Sequence, residues 1–407
     1  MNCHYLSISL AAVLALSSCQ SNQEENNNPS GTTDPVETEQ PNTSYSPAFQ
    51  GQTRIAGVQT TSGFESRILT QTLRSPWGIT SLPSGHLLVT EKGGSMRIVT
   101  VEGAVGEPIT GIPAVNSAGQ GGLLGLRLDP DFASNRTIYW VFSEAITGGN
   151  VTSVAKGQLS ANEKQIENAQ VIYRALPAYA GNLHYGGRIL FDQTGNLLVS
   201  TGERSDLATR PQAQSLSSGL GKIVRITKNG QAASGNPSVG QSGGRPEIYS
   251  YGHRNPQGLA IHPVTGELWE SEHGPRGGDE INRIQAGANY GWPTITYGIE
   301  YSGQTIGAGI QQQQGMQQPV YYWDPVVSPS GMTFYTGNRI PEWQNNLFIS
   351  SLSGQHLIRL VIENNQVVGE ERLLANEGQR FRDITQGSDG ALYAITDGGR
   401  LYRIDRN

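Results

Sequence analysis

The chain has 407 residues, 28 of them Lys or Arg and 34 Asp or Glu, and the net charge of −6 excludes a broad cationic surface for nucleic acid. Hydrophobic residues make up 36% and charged residues only 15%, which excludes both a multi-span membrane protein and a charged, disordered chain. The 52 glycines follow no collagen period and point to many tight turns between short strands, hence an all-β fold.

Residues 1–18 read as an export signal. Leu6–Leu16 is an apolar run too short to span a bilayer as a helix, followed by Ser17, Ser18 and Cys19. The tetrapeptide Leu16-Ser-Ser-Cys19 resembles the bacterial lipoprotein signal, which implies cleavage before Cys19, a lipid on its sulfur, and a place in the periplasm or cell envelope. An ordinary cleaved signal would also export the protein. Cys3 and Cys19 are the only cysteines, so the folded region has no disulfide and no thiolate metal site. Residues 19–50, rich in Asn, Ser, Thr, Pro and Glu, are expected to be a disordered tether. Removing its five acidic residues leaves residues 51–407 nearly neutral, so local chemistry must decide function.

One phrase then recurs six times: an apolar strand, a polar turn with Gly or Asn, and a second apolar strand. Its copies begin near Gly78, Gly125, Gly187, Gly258, Gly331 and Asp383, and the intervals of 47, 62, 71, 73 and 52 residues each accommodate about four short strands and their loops. The expected architecture is a six-bladed β-propeller of four-stranded antiparallel blades over residues 51–407. A pair of β-sandwiches would require a central linker, and none is visible. The longest intervals run from the second copy to the fifth, which places the elaborate loops there, over one face of the ring.

Those loops carry the polar residues most suited to chemistry. Gln120 lies in a Gly-rich turn that leads into a strand, not a helix, so it is no phosphate cradle. His184 precedes Tyr185-Gly-Gly-Arg188, where a neutral imidazole can accept a proton near pH 7. Tyr251-Gly-His-Arg-Asn-Pro-Gln-Gly-Leu259 and Glu272-His-Gly-Pro-Arg-Gly-Gly-Asp-Glu280 bend the backbone tightly beside polar side chains. Arg380 and Arg382 alternate along a strand entry, which puts both guanidiniums on one face, suited to a polycarboxylate. There is no zinc pattern, no EF-hand loop and no strand-to-helix setting for a serine nucleophile elbow.

Together, Gln120, His184, the runs 252–258 and 272–280, Asn289-Tyr-Gly-Trp-Pro293 and Arg380-Phe-Arg382 resemble the soluble pyrroloquinoline quinone (PQQ) sugar dehydrogenases, most closely the aldose sugar dehydrogenase branch, over about residues 70–405. The resemblance implies oxidation of an aldose at its anomeric carbon to a lactone, with electrons passed to an external acceptor. It implies His184 as general base, Arg254 and Asn255 beside the quinone, and Gln120 and Glu203 on the catalytic and substrate side. It further implies Arg380 and Arg382 on PQQ carboxylates, and Trp323 lining the pocket. The carbonyls of Gly274 and Pro275 would hold a Ca²⁺ that also binds PQQ, and those of Glu280 and Tyr290 a second, structural Ca²⁺. Two positions mark this chain within the resemblance. Ser353 stands where the family usually has Lys, which removes a cation expected near the PQQ carboxylates. Glu203 stands where the glucose-specific branch has Asp, which favours a broad substrate range. A non-enzymatic propeller that binds glycan or protein, and a Ca²⁺-dependent lactonase, remain as alternatives.

Overall fold

The computed structural model describes Met1, residues 34–237 and residues 243–407. The export signal, Cys3, Cys19 and the first part of the expected tether lie outside the described residues. Six antiparallel sheets are arranged as the blades of a propeller, and only short helical turns interrupt them. The innermost strands begin the blades at Pro76–Ser81, Leu123–Leu128, Ile189–Phe191, Pro256–Ile261, Pro329–Phe334 and Phe381–Gln386, and neighbouring ones touch around the ring. Five sheets have four strands. The first has three, and the chain beyond Ser95–Val99 adds only the isolated bridges Met96 to Ile109 and Val99 to Val105. The sixth blade is completed by Phe64–Thr70, which pairs with Leu401–Arg406, so the two ends of the domain close the ring together.

The recurring glycine now has a physical reason. It sits on the inner strand where the next blade abuts: a Cβ on Gly125 would stand 2.5 Å from the Gly187 carbonyl oxygen, and one on Gly331 only 1.7 Å from Asp383 Oδ1. Hydrophobic clusters fill the spaces between successive blades, as face-to-face packing of twisted sheets requires. In the sixth copy Asp383 takes the glycine's place, and its carboxylate accepts from Ile79 N at 3.0 Å and Arg188 Nη1 at 2.6 Å. Arg188 also donates to the carbonyls of Gln257 (2.5 Å) and Arg382 (3.1 Å), and lies 4.2 Å from the centre of the Trp77 ring. One buried ion pair thus joins the first, third, fourth and sixth blades near the axis.

Residues 34–50, expected to belong to the disordered tether, are instead held against the propeller. They pack against the fourth and fifth blades. Asn42 and Thr43 bond Asp324, Glu37 pairs with Arg372 at 2.8 Å, and Arg54 donates to the Glu37, Glu39 and Asp324 carbonyls. Short polar side chains, read as signs of disorder, here satisfy a buried carboxylate.

Candidate active site

The loops that enter the inner strands, together with turns between the second and third strands of several blades, surround a cavity of about 570 Å³ on one face of the ring. Its wall includes Gln120, His184, Arg254, Asn255, Gly274, Pro275, Arg380 and Arg382, so residues far apart in sequence converge as expected. Lys92, Gln257, His273, Asp279 and Asp397 also line it.

His184 is 6% exposed, and its Nδ1 lies 2.6 Å from Glu203 Oε1. Its backbone N–H donates to Gln120 Oε1 at 2.8 Å. Gly202 permits this approach, since a Cβ there would meet the His184 carbonyl oxygen at 2.3 Å. Glu203 does not form the wall. It stands behind the imidazole, fixed by Ser205 N (3.0 Å) on Oε1 and by its own N–H to the Arg254 carbonyl (2.9 Å). Burial drives the His184 pKa well below the usual imidazole value, and the charge of Arg254 adds to the effect. Burial also raises Glu203 to about 7 against the opposing pull of Arg254. Near neutral pH the imidazole is therefore uncharged. With Nδ1–H donated to the carboxylate, Nε2 carries the lone pair.

Glu272, buried at the end of Leu268–Glu272, accepts from the backbone N–H groups of Arg254 (2.5 Å) and Asn255 (3.2 Å) and so fixes both residues. Asn255 Oδ1 accepts from Gly186 N at 3.1 Å, which leaves its amide nitrogen as a donor. Arg254 Nη1 donates to the carbonyls of His273 (2.9 Å) and Gly274 (2.7 Å), while the buried Nε has no partner. His273 Nε2 is likewise unpartnered. Asp279 secures the Gly274 turn by accepting from Gly274 N (2.7 Å), Val327 N (2.8 Å) and Ser328 N (2.6 Å). Across the cavity Arg380 Nε (3.0 Å) and Arg382 Nε (2.8 Å) share Asp397, and the intervening Phe381 is fully buried. The alternation read from Arg380-Phe-Arg382 holds.

Trp323 departs from the expectation. It belongs to Tyr321–Trp323, the outermost strand of the fourth blade, where it is buried away from the cavity and its indole N–H donates to Glu370 at 3.1 Å. Val326, Ser328 and Leu352 line that side instead. Ser353 is not on the wall, and its hydroxyl is 2.8 Å from that of Ser328.

Glu280 and Tyr290 line a second, water-sized cavity beside the first, together with Glu272, Gly278 and Thr296. Nearby, ligand atoms of His253, Glu270 and Glu272 lie within 4.8 Å of one another, and Glu270 Oε1 and Asn282 Oδ1 are buried without partners. Burial, and after it the neighbouring Glu272 carboxylate, raise the pKa values of Glu270 and Glu280 well above the carboxylate range. Such an oxygen-rich pocket suits a hard cation. The sequence reading used only the backbone at Glu280 and Tyr290 and did not single out the carboxylates, although Glu270 and Glu272 alternate on one strand face.

The family model for glucose and sorbosone dehydrogenases matches residues 73–403. The chain is 41% identical over 342 residues to aldose sugar dehydrogenase YliI of Escherichia coli, covering 83% of this chain and 91% of that one. Among solved structures, the apo form of the soluble aldose sugar dehydrogenase from Escherichia coli aligns with TM-score 0.81 at 40% identity, covering 84% of this chain and all of the other. The PQQ-bound form of an aldose sugar dehydrogenase from Streptomyces coelicolor aligns with TM-score 0.70 at 29% identity, covering 85% and 99%. By fold, by the residues that converge on its cavity and by these similarities, the chain belongs to the glucose/sorbosone dehydrogenase family.

Proposed function

We propose that the protein is a PQQ- and Ca²⁺-dependent dehydrogenase that oxidises aldoses at the anomeric carbon to lactones and passes the electrons to an external acceptor. The observation that carries this reading is His184, backed by Glu203 at 2.6 Å, in the same cavity as Arg254, Arg380 and Arg382. The cavity fits a planar polycarboxylate. Two guanidiniums share one aspartate, and the unpartnered Arg254 Nε and His273 Nε2 are polar atoms that a bound ligand would satisfy.

PQQ, when bound, supplies the two-electron acceptor for hydride leaving the sugar carbon. The chain supplies orientation and proton handling. His184 Nε2 takes the proton of the anomeric hydroxyl, and Glu203 holds the opposite nitrogen protonated and stabilises the imidazolium that forms. Gln120 Oε1 is occupied by the His184 backbone, so its Nε2 is free to donate to a sugar hydroxyl. Arg254 and the Asn255 amide would donate to an oxygen of the bound cofactor. The Gly274 and Pro275 carbonyls would hold one Ca²⁺, and the cavity of Glu280 and Tyr290 a second. Arg254 Nη1 donates to the same Gly274 carbonyl, which has a second lone pair for a cation. A lipid on Cys19 would tether the enzyme to a membrane of the cell envelope.

Purified protein mixed with PQQ, Ca²⁺, an aldose and a redox dye tests the reading. Dye reduction that requires all components is expected, and its absence together with no spectral sign of bound PQQ would refute it. Tight PQQ binding with loss of turnover in His184→Ala excludes the non-enzymatic alternative. Lactone hydrolysis without PQQ would instead support the lactonase.

A further inference from the structure

The turn Gly274–Gly278 is braced by a carboxylate on each side. Asp279 holds it from within. On the other side stands Asp324, 3% exposed, whose side-chain bonds among the described residues all come from the N-terminal segment. Asn42 N and Nδ2 both donate to Oδ1 at 2.8 Å, and Thr43 N (3.0 Å) and Oγ1 (2.9 Å) donate to Oδ2. Asn42 Oδ1 in turn accepts from Arg276 Nε at 3.0 Å, which ties the segment to the turn itself. Gly277, at φ +86°, lies so close that a Cβ there would be 2.9 Å from Asp324 Oδ1, and Gly278 N donates to the Trp323 carbonyl at 2.9 Å. Arg54 closes the clamp by donating to the carbonyls of Asp324 (2.7 Å) and Glu39 (2.6 Å). The family match begins at residue 73, so the donors Asn42, Thr43 and Arg54 lie outside it, whereas Asp324 and Arg276 lie within.

We propose that Asn42 and Thr43 are positioning residues for the Gly274–Pro275 turn. By satisfying Asp324 they hold the two carbonyls in the cavity wall, and cofactor is bound tightly only while the N-terminal segment is docked. Undocking the segment removes all four donors, and alanine at both positions removes two of them, Asn42 Nδ2 and Thr43 Oγ1, together with the Asn42–Arg276 contact. A buried carboxylate that loses donors must find water or other partners, which loosens its packing against Gly277. The inference rests on the reading above that this turn serves a cation and PQQ.

The test uses the full chain carrying Asn42→Ala and Thr43→Ala together, with Thr43→Val as the milder change and Thr43→Ser as the conservative control. Hydrogen exchange of peptides covering residues 274–278 is measured without cofactor, and PQQ affinity is measured by its absorbance at fixed Ca²⁺. Faster exchange in the turn is expected, with a rise in PQQ Kd of about tenfold, as for loss of groups that orient metal ligands. The sugar KM should stay unchanged, and Thr43→Ser should behave as wild type. Unchanged exchange at 274–278 overturns the clamp, and so does faster exchange with PQQ Kd within twofold of wild type. If the wild type binds no PQQ at any Ca²⁺ concentration, the affinity claim falls with the functional reading, and the exchange comparison alone decides whether the clamp holds the turn.

Discussion

Glu203→Gln tests the proposed role of the carboxylate behind His184. Glu203 Oε1 lies 2.6 Å from His184 Nδ1 and accepts from Ser205 N, whereas Oε2 is buried without a partner. Glutamine keeps the shape but removes the charge, and puts an amide N–H₂ either where nothing accepts it or against Nδ1. The second arrangement moves the imidazole proton to Nε2 and blocks the base. With the first, the imidazolium formed on proton transfer loses its counter-charge. A pair of full charges about 4 Å apart interacts by ~4 kcal/mol at an effective dielectric constant of ~20, so a half-developed charge loses roughly 2 kcal/mol. Replacing a charge-assisted hydrogen bond by a neutral one adds about 1 kcal/mol. The sum lowers the rate by about 10²-fold, and a tautomer switch would extend the loss toward ~10⁴-fold. The pH profile gives a second readout. Burial raises Glu203 to about 7, so its carboxylate is present above that pH and lost below it, while His184 protonates only well under the usual imidazole value. The wild-type rate of quinone reduction should therefore fall as pH drops through about 7, and Glu203→Gln should lack that limb. Single-turnover absorbance of reconstituted enzyme mixed with an aldose measures both. A variant within threefold of wild type, or one that keeps the limb near pH 7, would refute the assignment.

Asp383→Ala leaves the buried Arg188 guanidinium without its carboxylate and should destabilise the fold by about 3–5 kcal/mol in urea titration; a loss under about 1 kcal/mol would show that the ion pair does not join the blades. Arg382→Ala removes the guanidinium that meets Asp397 through Nε and Nη2, at 2.8 and 3.1 Å, and should raise the PQQ Kd by roughly 10- to 100-fold with the sugar KM unchanged, since a charge-assisted bond contributes about 1.5–3 kcal/mol. An equal rise in sugar KM would place Arg382 on the substrate instead.

What the sequence made legible is what repeats or alternates. The six copies could be counted because Gly78, Gly125, Gly187, Gly258 and Gly331 mark the point where each inner strand meets its neighbour and a Cβ does not fit. Arg380 and Arg382 follow from the two-residue period of a strand. The misplacement of Trp323 has the same origin. Three consecutive aromatic residues in Tyr321–Trp323 show no alternation, and nothing local reveals that this is an outer strand far from the axis. Contacts between distant residues were invisible as well. Asp324 finds its donors about 280 residues away, and Arg188 finds Asp383 at a separation of 195. Resemblance brings Glu203 to the site, but only the fold puts it behind His184 and off the cavity wall.

The charges on the cavity wall bear on the serine at 353. Its cations come from the first blade (Lys92), the fourth (Arg254) and the sixth (Arg380 and Arg382), and none from the fifth, where Ser353 bonds Ser328 and leaves the wall to Val326, Ser328 and Leu352. The first and sixth blades are neighbours in the ring, so three of the four positive groups converge on one side. Asp397 neutralises only part of that charge, and by bonding both arginines it holds their guanidiniums together in place before any ligand arrives. Under the proposed reading this side attracts the carboxylates, and Arg254, beside His184 and the Gly274 turn, is left to serve the redox end. The Arg188–Asp383 pair supports that division from below, because the Gln257 and Arg382 carbonyls that accept from Arg188 belong to residues whose side chains face the cavity. A lysine at 353 would add charge on the fifth blade, which adjoins the sixth; without it, Lys92, Arg380 and Arg382 are the cations that serve the carboxylates under the proposed reading.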